Sequence, residues 1–150
     1  MLTGPDAVLA CVKASGKKAL LADLAAKAAQ LYKLDERRLF DRLLERERLG
    51  STGIGGGIAI PHGRMADLSK PVGLFARLGH PVDFDSIDER PVDTVFLLLA
   101  PEGESTAQLK ALARIARLLR DPQTCTRLRR EADPLQVYAL LTGRAAGAAA

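Results

Sequence analysis

Residues 53–64 read Gly-Ile-Gly-Gly-Gly-Ile-Ala-Ile-Pro-His-Gly-Arg, and the fold turns on how this stretch is divided. Five glycines fall between Gly50 and Gly57, enough to end any helix arriving from the N-terminal side. Ile58-Ala59-Ile60 is apolar and β-prone. Pro61 stops it, because proline has no N–H for a ladder hydrogen bond. Ile60, placed before a proline, is driven to extended backbone. Pro61 fixes its own φ, and Gly63 reads as a position that lets the chain turn sharply. His62 is therefore expected at the end of a strand with the chain peeling away from it. Ends of strands in α/β folds collect ligands, and successive glycine amides can form a concave nest for an anion.

Outward from this stretch the hydrophobic period changes twice. On the N-terminal side Leu20, Leu21, Leu24, Ala25, Ala28 and Leu31 recur every three or four residues and predict an amphipathic helix over Lys17–Tyr32, with Ser15-Gly16 as its cap or turn. A second helix is expected from Asp35 to Arg48, with Leu39, Phe40, Leu43 and Leu44 on one face. On the C-terminal side Val72–Leu78 and Val92–Ala100 read as strands, the second apolar enough at its end to be covered on both faces. Between them Gly79–Pro91 is a polar connection, and His80 reads as a turn residue.

A long helix follows from Ser105 to Arg120, with Leu109, Leu112, Ala116 and Leu119 directed inward. Pro122 and Pro134 each sit at the first turn of a further helix, where a missing N–H costs nothing. The last helix ends at Thr142-Gly143, and the Ala-rich tail over 143–150 is expected to fray. Helices, then strands, then helices without strict alternation indicate an α/β fold: one mixed sheet covered by helices.

The chain has 150 residues, which suits a single domain. It is 47% hydrophobic and 27% charged, the balance of a globular protein and not of a disordered one. No run of about 18 apolar residues suggests a membrane span, and Met1–Ala10 lacks the plan of a signal peptide. A cytoplasmic protein is expected. Cys11 and Cys125 lie far apart without Cys-x-x-Cys spacing and read as reduced, structural thiols. A formal net charge of +4 raises nucleic-acid binding, but with no Trp, four Phe and two Tyr there are no stacking platforms among the basic residues. No nucleic-acid partner is expected.

The chemistry of the glycine stretch narrows by exclusion. A P-loop needs Gly-Lys-Ser/Thr, which is absent. The dinucleotide fingerprint fails because its sixth position is Ile58 and a strand follows instead of a helix. Zinc would need three or four ligands, and none stand at ligand spacing around His62. A nucleophile elbow is missing. Local chemistry alone leaves His62 open between a turn residue and a functional one.

Thr52-Gly53-Ile54-Gly55 followed by Gly57-Ile58-Ala59-Ile60-Pro61-His62-Gly63 resembles the phosphorylation-site motif of type-2 IIA domains of the bacterial phosphotransferase system. That family includes the fructose- and mannitol-type IIA domains and the nitrogen-type regulatory protein. Glu45-Arg46-Glu47-Arg48-Leu49, Val82-Asp83-Phe84-Asp85 and Pro91-Val92-Asp93 extend the likeness, which runs from about Leu2 to Thr142 and is nearest the nitrogen type. The resemblance implies a type-2 IIA-like sandwich and a phosphotransferase component with no cofactor and no metal. It implies that His62 accepts a phosphoryl group, as a tele-phosphohistidine intermediate, from a histidine-containing phosphocarrier protein. Arg46 falls where the family has an active-site arginine that stabilises the phosphoryl group. At the place of the family's second histidine, the start of a His-Leu-x-x-Leu run, this sequence has Gln108-Leu109-Lys110-Ala111-Leu112. A glutamine donates hydrogen bonds but never carries charge.

Three roles fit that resemblance. The first is a nitrogen-type carrier whose phosphorylation state signals to regulated target proteins. The second is a fructose-type component that passes its phosphoryl group to a IIB cysteine, and the third is a regulatory interaction module that is seldom phosphorylated. A stripe of Lys110, Arg114 and Arg117 on the long helix reads either as a solvated face or as a dock for an acidic partner.

Overall fold

The computed structural model describes residue 2, residues 4–103 and residues 105–143. The expected tail over 143–150 lies outside the described residues beyond Gly143. After a short 3-10 turn at Pro5–Ala7, the chain forms β1 (Val8–Val12), α1 (Lys17–Tyr32), α2 (Glu36–Arg48), β2 (Gly53–Gly55), β3 (Ile58–Ala59) and β4 (His62–Met65). There follow β5 (Val72–Val82), β6 (Val92–Pro101), α3 (Ser105–Arg120), α4 (Pro122–Arg130) and α5 (Pro134–Thr142).

The helix boundaries follow from local chemistry. Asp35 caps α2 by accepting from the Arg38 N–H at 3.0 Å, and Asp121 and Asp133 cap α4 and α5 in the same way ahead of Pro122 and Pro134. Each cap satisfies an otherwise orphan N–H of the first turn. Lys33 closes α1 in the left-handed conformation with its N–H on the Ala29 carbonyl.

The strands make one mixed six-stranded sheet in the order β1-β5-β6-β3-β2, with β4 also on β6. Here β5 and β6 are antiparallel, with Phe75 opposite Phe96, while β1 runs parallel to β5. Both β3 and β4 run parallel to β6 along the same edge: Ile58 faces Thr94, and His62 faces Leu98. In β6 every residue from Val95 to Ala100 is buried, so both faces of this strand are covered. Together with Phe75, Leu74 and Leu97 it forms the centre of the core. Among the helices, α2 lies against β4, α3 against β6 and α4, and α5 against β1.

Four expectations need correction. Residues 8–12 form a strand that the sequence reading does not supply: a short, half-buried apolar run at a sheet edge leaves no clear period. The strand from Val72 continues to Val82, so His80 is an exposed strand residue and not a turn. In α3 the inward face is Gln108, Ala111, Ile115 and Leu119, with Leu112 and Ala116 partly buried, whereas Leu109 is 65% exposed. Of the two free thiols only Cys125 belongs to the core, where burial pushes it up from its ordinary pKa; Cys11 is exposed.

Candidate functional site

Proline 61 interrupts the sheet for less length than its missing N–H suggests. Its carbonyl still accepts from the Leu98 N–H at 2.9 Å, and the Ile60 N–H turns to the Thr52 carbonyl at 3.0 Å. The chain therefore stays beside β6, and His62 begins a strand where the sequence placed it at the end of one. Gly63 is part of that strand and has no left-handed φ, so it makes no sharp turn. A Cβ there would sit in ordinary contact with Arg42 and Leu43 of α2, at 3.7 and 3.8 Å. The left-handed backbone belongs instead to Gly55, Gly56 and Gly57, with φ of 93°, 65° and 82°, which fold β2 back on β3.

The tautomer of His62 follows from its two partners. Nδ1 lies 2.9 Å from the Ile60 carbonyl oxygen, and the Arg46 Nε lies 3.2 Å from Nε2. A carbonyl only accepts and a guanidinium only donates. Both contacts are satisfied together by a neutral ring that carries its proton on Nδ1 and its lone pair on Nε2. Burial holds the imidazole below its usual pKa and outweighs the Ile60 hydrogen bond, which acts upward. Smaller contributions come from Arg46 and Arg64, which lower it, and from Glu47, which raises it.

Two residues of the last turns of α2 hold this geometry. Arg46 is braced by donating from Nη1 to the Gly50 carbonyl at 2.9 Å. Glu47 is buried, and its Oε1 accepts from the Thr52 N–H at 3.0 Å and pairs with Lys17 Nζ at 3.1 Å. Its Oε2 accepts from the Thr52 hydroxyl. Because Thr52 in turn accepts from Ile60, and Ile60 accepts from His62, an unbroken hydrogen-bond chain runs from Glu47 to the imidazole. Sequence reasoning passed over Glu47. The signal was there: Leu39, Leu43 and Glu47 are spaced by four, so the apolar stripe of α2 runs onto a carboxylate.

Gln108 is buried at the start of α3. Its amide donates to the Gly63 carbonyl at 3.1 Å, and its carbonyl accepts from Arg64 Nε at 3.0 Å. The structure thus brings His62, Arg46 and Gln108 to one region and adds Glu47 and Arg64, which the sequence reading had not singled out. His80 takes no part in these bonds. Among the described residues no group of three or more His, Cys, Asp or Glu side chains is placed to hold a metal ion, and no helix is long and apolar enough to cross a membrane.

A histidine at the start of a strand with its lone pair facing an arginine, on a mixed sheet of this order, invites comparison with known proteins. Residues 1–143 match the family described as the phosphoenolpyruvate-dependent sugar phosphotransferase system, EIIA 2. The chain belongs to this family. A nitrogen regulatory protein from Bradyrhizobium diazoefficiens is 54% identical over 140 residues, which is 93% of this chain and 92% of that protein. The nitrogen regulatory protein IIA-Ntr from Neisseria meningitidis has the same fold with a TM-score of 0.87 at 32% identity, covering 93% of this chain and 95% of that one. The mannitol IIA protein from Escherichia coli shares the fold at a TM-score of 0.78 and 21% identity, over 92% and 97% of the two chains.

Two large apolar side chains close in sequence to Arg46 and Gln108 are exposed. Leu49, the C-cap of α2 between Arg46 and Gly50, is 85% exposed, and Leu109 follows Gln108 on α3. Several other arginines are held in bonds elsewhere in the fold. Arg77 donates to the carbonyls of Ala10, Leu128 and Glu131, while Arg129 pairs with Asp93 and Arg42 with Glu102.

Proposed function

We propose that this chain is a phosphoryl carrier and regulator of the nitrogen-type phosphotransferase system, acting in the cytoplasm through a phosphohistidine at Nε2 of His62. The observation that carries this reading is the fixed tautomer: Nδ1–H is held on the Ile60 carbonyl and the Nε2 lone pair faces Arg46. The identity to nitrogen regulatory proteins along nearly the whole chain supports the nitrogen-type role.

The donor is the phosphohistidine of a histidine-containing phosphocarrier protein. As the His62 Nε2 lone pair forms its bond to phosphorus, the donor's N–P bond breaks, and that electron pair returns to the donor imidazole. No proton has to move at His62, because Nδ1 keeps its hydrogen throughout. Arg46 Nε–H caps the lone pair in the resting protein and must leave it for attack. Its guanidinium then faces the oxygens of the arriving group, where charge-assisted bonds form. Such transfer needs mainly positioning and charge stabilisation, which the rigid hydrogen-bond chain from Glu47 provides. Target proteins then read the charge state of the site.

Incubation of the chain with phosphoenolpyruvate, the upstream kinase and the phosphocarrier, followed by intact mass, tests the reading: one phosphoryl group per chain is expected, and none would refute it. Uptake should also hold level from neutral pH down to below about 6.5, the ordinary imidazole value. Burial lowers the His62 pKa, so the nucleophile stays neutral until the pH falls past that lower value. A rate whose acid limb is centred above the ordinary value would contradict the assigned environment. The same sign applies to stability: the contribution of His62 is complete above the ordinary imidazole value and is lost as pH falls through the lowered one.

Exposed apolar side chains close in sequence to Arg46 and Gln108 suit an apolar face on the phosphocarrier. Leu49→Asp and Leu109→Asp should each raise KM for the phosphorylated carrier several-fold, about 1 kcal/mol per side chain removed from an interface, with kcat little changed. A steady-state KM that does not move would exclude these leucines from the docking surface.

A further inference from the structure

We propose that Arg64, held in place by Gln108, is a second cationic ligand of the phosphoryl group on His62, so that an arginine on β4 supplies the charge that the glutamine at position 108 cannot. The assignment rests on the phosphoryl-acceptor reading of His62. Because β4 begins at His62, the alternation of a strand puts the side chains of residues 62 and 64 on the same face, roughly 7 Å apart along the backbone. That separation is within the span of a guanidinium reaching toward a group built outward from Nε2. The positive charge of Arg64 is already felt by the imidazole, whose protonation it opposes.

What fixes Arg64 is an amide at the one buried polar position of α3 among the described side chains. Gln108 is only 6% exposed and lies on the inward stripe with Ala111, Ile115 and Leu119. A buried carboxamide must place both its donor and its acceptor. Its NH2 takes the Gly63 carbonyl, and its oxygen takes Arg64 Nε–H. The amide therefore clasps the backbone between His62 and Arg64 and the Arg64 side chain at once. Arg64 donates only through Nε in that bond, and no carboxylate among the described residues lies within ion-pair distance of it. Among the described residues neither of its terminal nitrogens has a hydrogen-bond partner, which leaves both available to phosphoryl oxygens.

The choice of an amide has a chemical reason. Glutamine presents one acceptor and two donors at any pH. A neutral histidine would present one of each, but a protonated one has no acceptor, so it would release Arg64 whenever it gained charge. Gln108 and Arg64 separate the two duties. The amide is a positioning residue, and the guanidinium, which is never deprotonated, is the ligand. After transfer the oxygens on Nε2 would meet Arg46 from α2 and Arg64 from β4. A solvated surface arginine would not need a buried amide committed to its Nε.

A double-mutant cycle tests this, read as the single-turnover rate of phosphoryl uptake by the full chain from phosphorylated phosphocarrier. Arg64→Gln should slow uptake about tenfold, the difference between a charge-assisted and a neutral hydrogen bond, and Arg64→Lys should recover part of it. Gln108→Leu should slow uptake by a smaller factor. The double variant should be no slower than Arg64→Gln alone, since Gln108 acts only through Arg64. Should Gln108→Leu melt early, Gln108→Asn, one methylene too short to reach Arg64, takes its place in the cycle. Uptake by Arg64→Gln within twofold of the unmodified chain, or losses that multiply in the double variant, would overturn the assignment while leaving His62 as the acceptor. No uptake by the unmodified chain would overturn the reading of His62 and this assignment with it.

Discussion

The His62→Ala variant should take up no phosphoryl group at all from phosphorylated phosphocarrier, under conditions where the unmodified chain is fully converted. The expectation is absolute because the other histidine, His80, is an exposed residue of β5 outside the cluster of Arg46, Glu47, Arg64 and Gln108. Nothing else there combines a free lone pair with a held ring. The adduct on the unmodified chain should be labile in acid and stable in base, as phosphohistidine is and phosphoserine is not. The variant should fold normally, since the imidazole is only half-buried and its loss leaves the Ile60 carbonyl open to water. Residual uptake by His62→Ala, resolved by intact mass, would mean that the acceptor had been misplaced.

Glu47→Ala should be the most damaging substitution to stability around the site. Removing one partner of a buried ion pair costs about 3 to 5 kcal/mol, because the remaining charge stays buried and unpaired. The low end, about 3 kcal/mol, is expected here. Lys17 keeps a second carboxylate, Asp85, at 3.7 Å, and lies over the Phe84 ring at 4.6 Å from its centroid. That loss corresponds to roughly 10 °C in Tm for a chain of this size. Uptake should slow as well, since Thr52 would lose the acceptor that anchors Ile60 and, through it, the imidazole. Glu47→Gln keeps an acceptor for Thr52 and should fall between the two. Urea unfolding with an unchanged m value reads the effect directly; a loss below 1 kcal/mol for Glu47→Ala would show that the pair is not a structural support.

Much of this architecture is legible in the residues, for reasons that also explain what is not. The helix over Lys17–Tyr32 matches because its apolar side chains and its inward face coincide. In α3 they do not. Leu109 is apolar but exposed, and the inward place one residue earlier belongs to Gln108, which is polar because it bonds Gly63 and Arg64. A reading that counts only apolar residues then slips by one position. At the site, the family resemblance of their short motifs singles out His62 and Arg46, while local chemistry alone leaves His62 open. Arg64 could not be singled out, because its relation to His62 depends on a strand resuming after Pro61, and a proline normally argues the opposite. Glu47 could be read only as a carboxylate at the end of the Leu39 and Leu43 stripe; its partners Lys17 and Thr52 come from other segments, and only the folded chain brings them together.

The direct measurement of the central claim is nitrogen-15 and phosphorus-31 NMR of the histidine ring in the phosphorylated chain. With Nδ1–H held on the Ile60 carbonyl and the lone pair on Nε2, the phosphorus should couple to Nε2 of His62, and Nδ1 should keep its proton. Coupling to Nδ1, or phosphorus on any other residue, would contradict the assigned tautomer and the acceptor built on it.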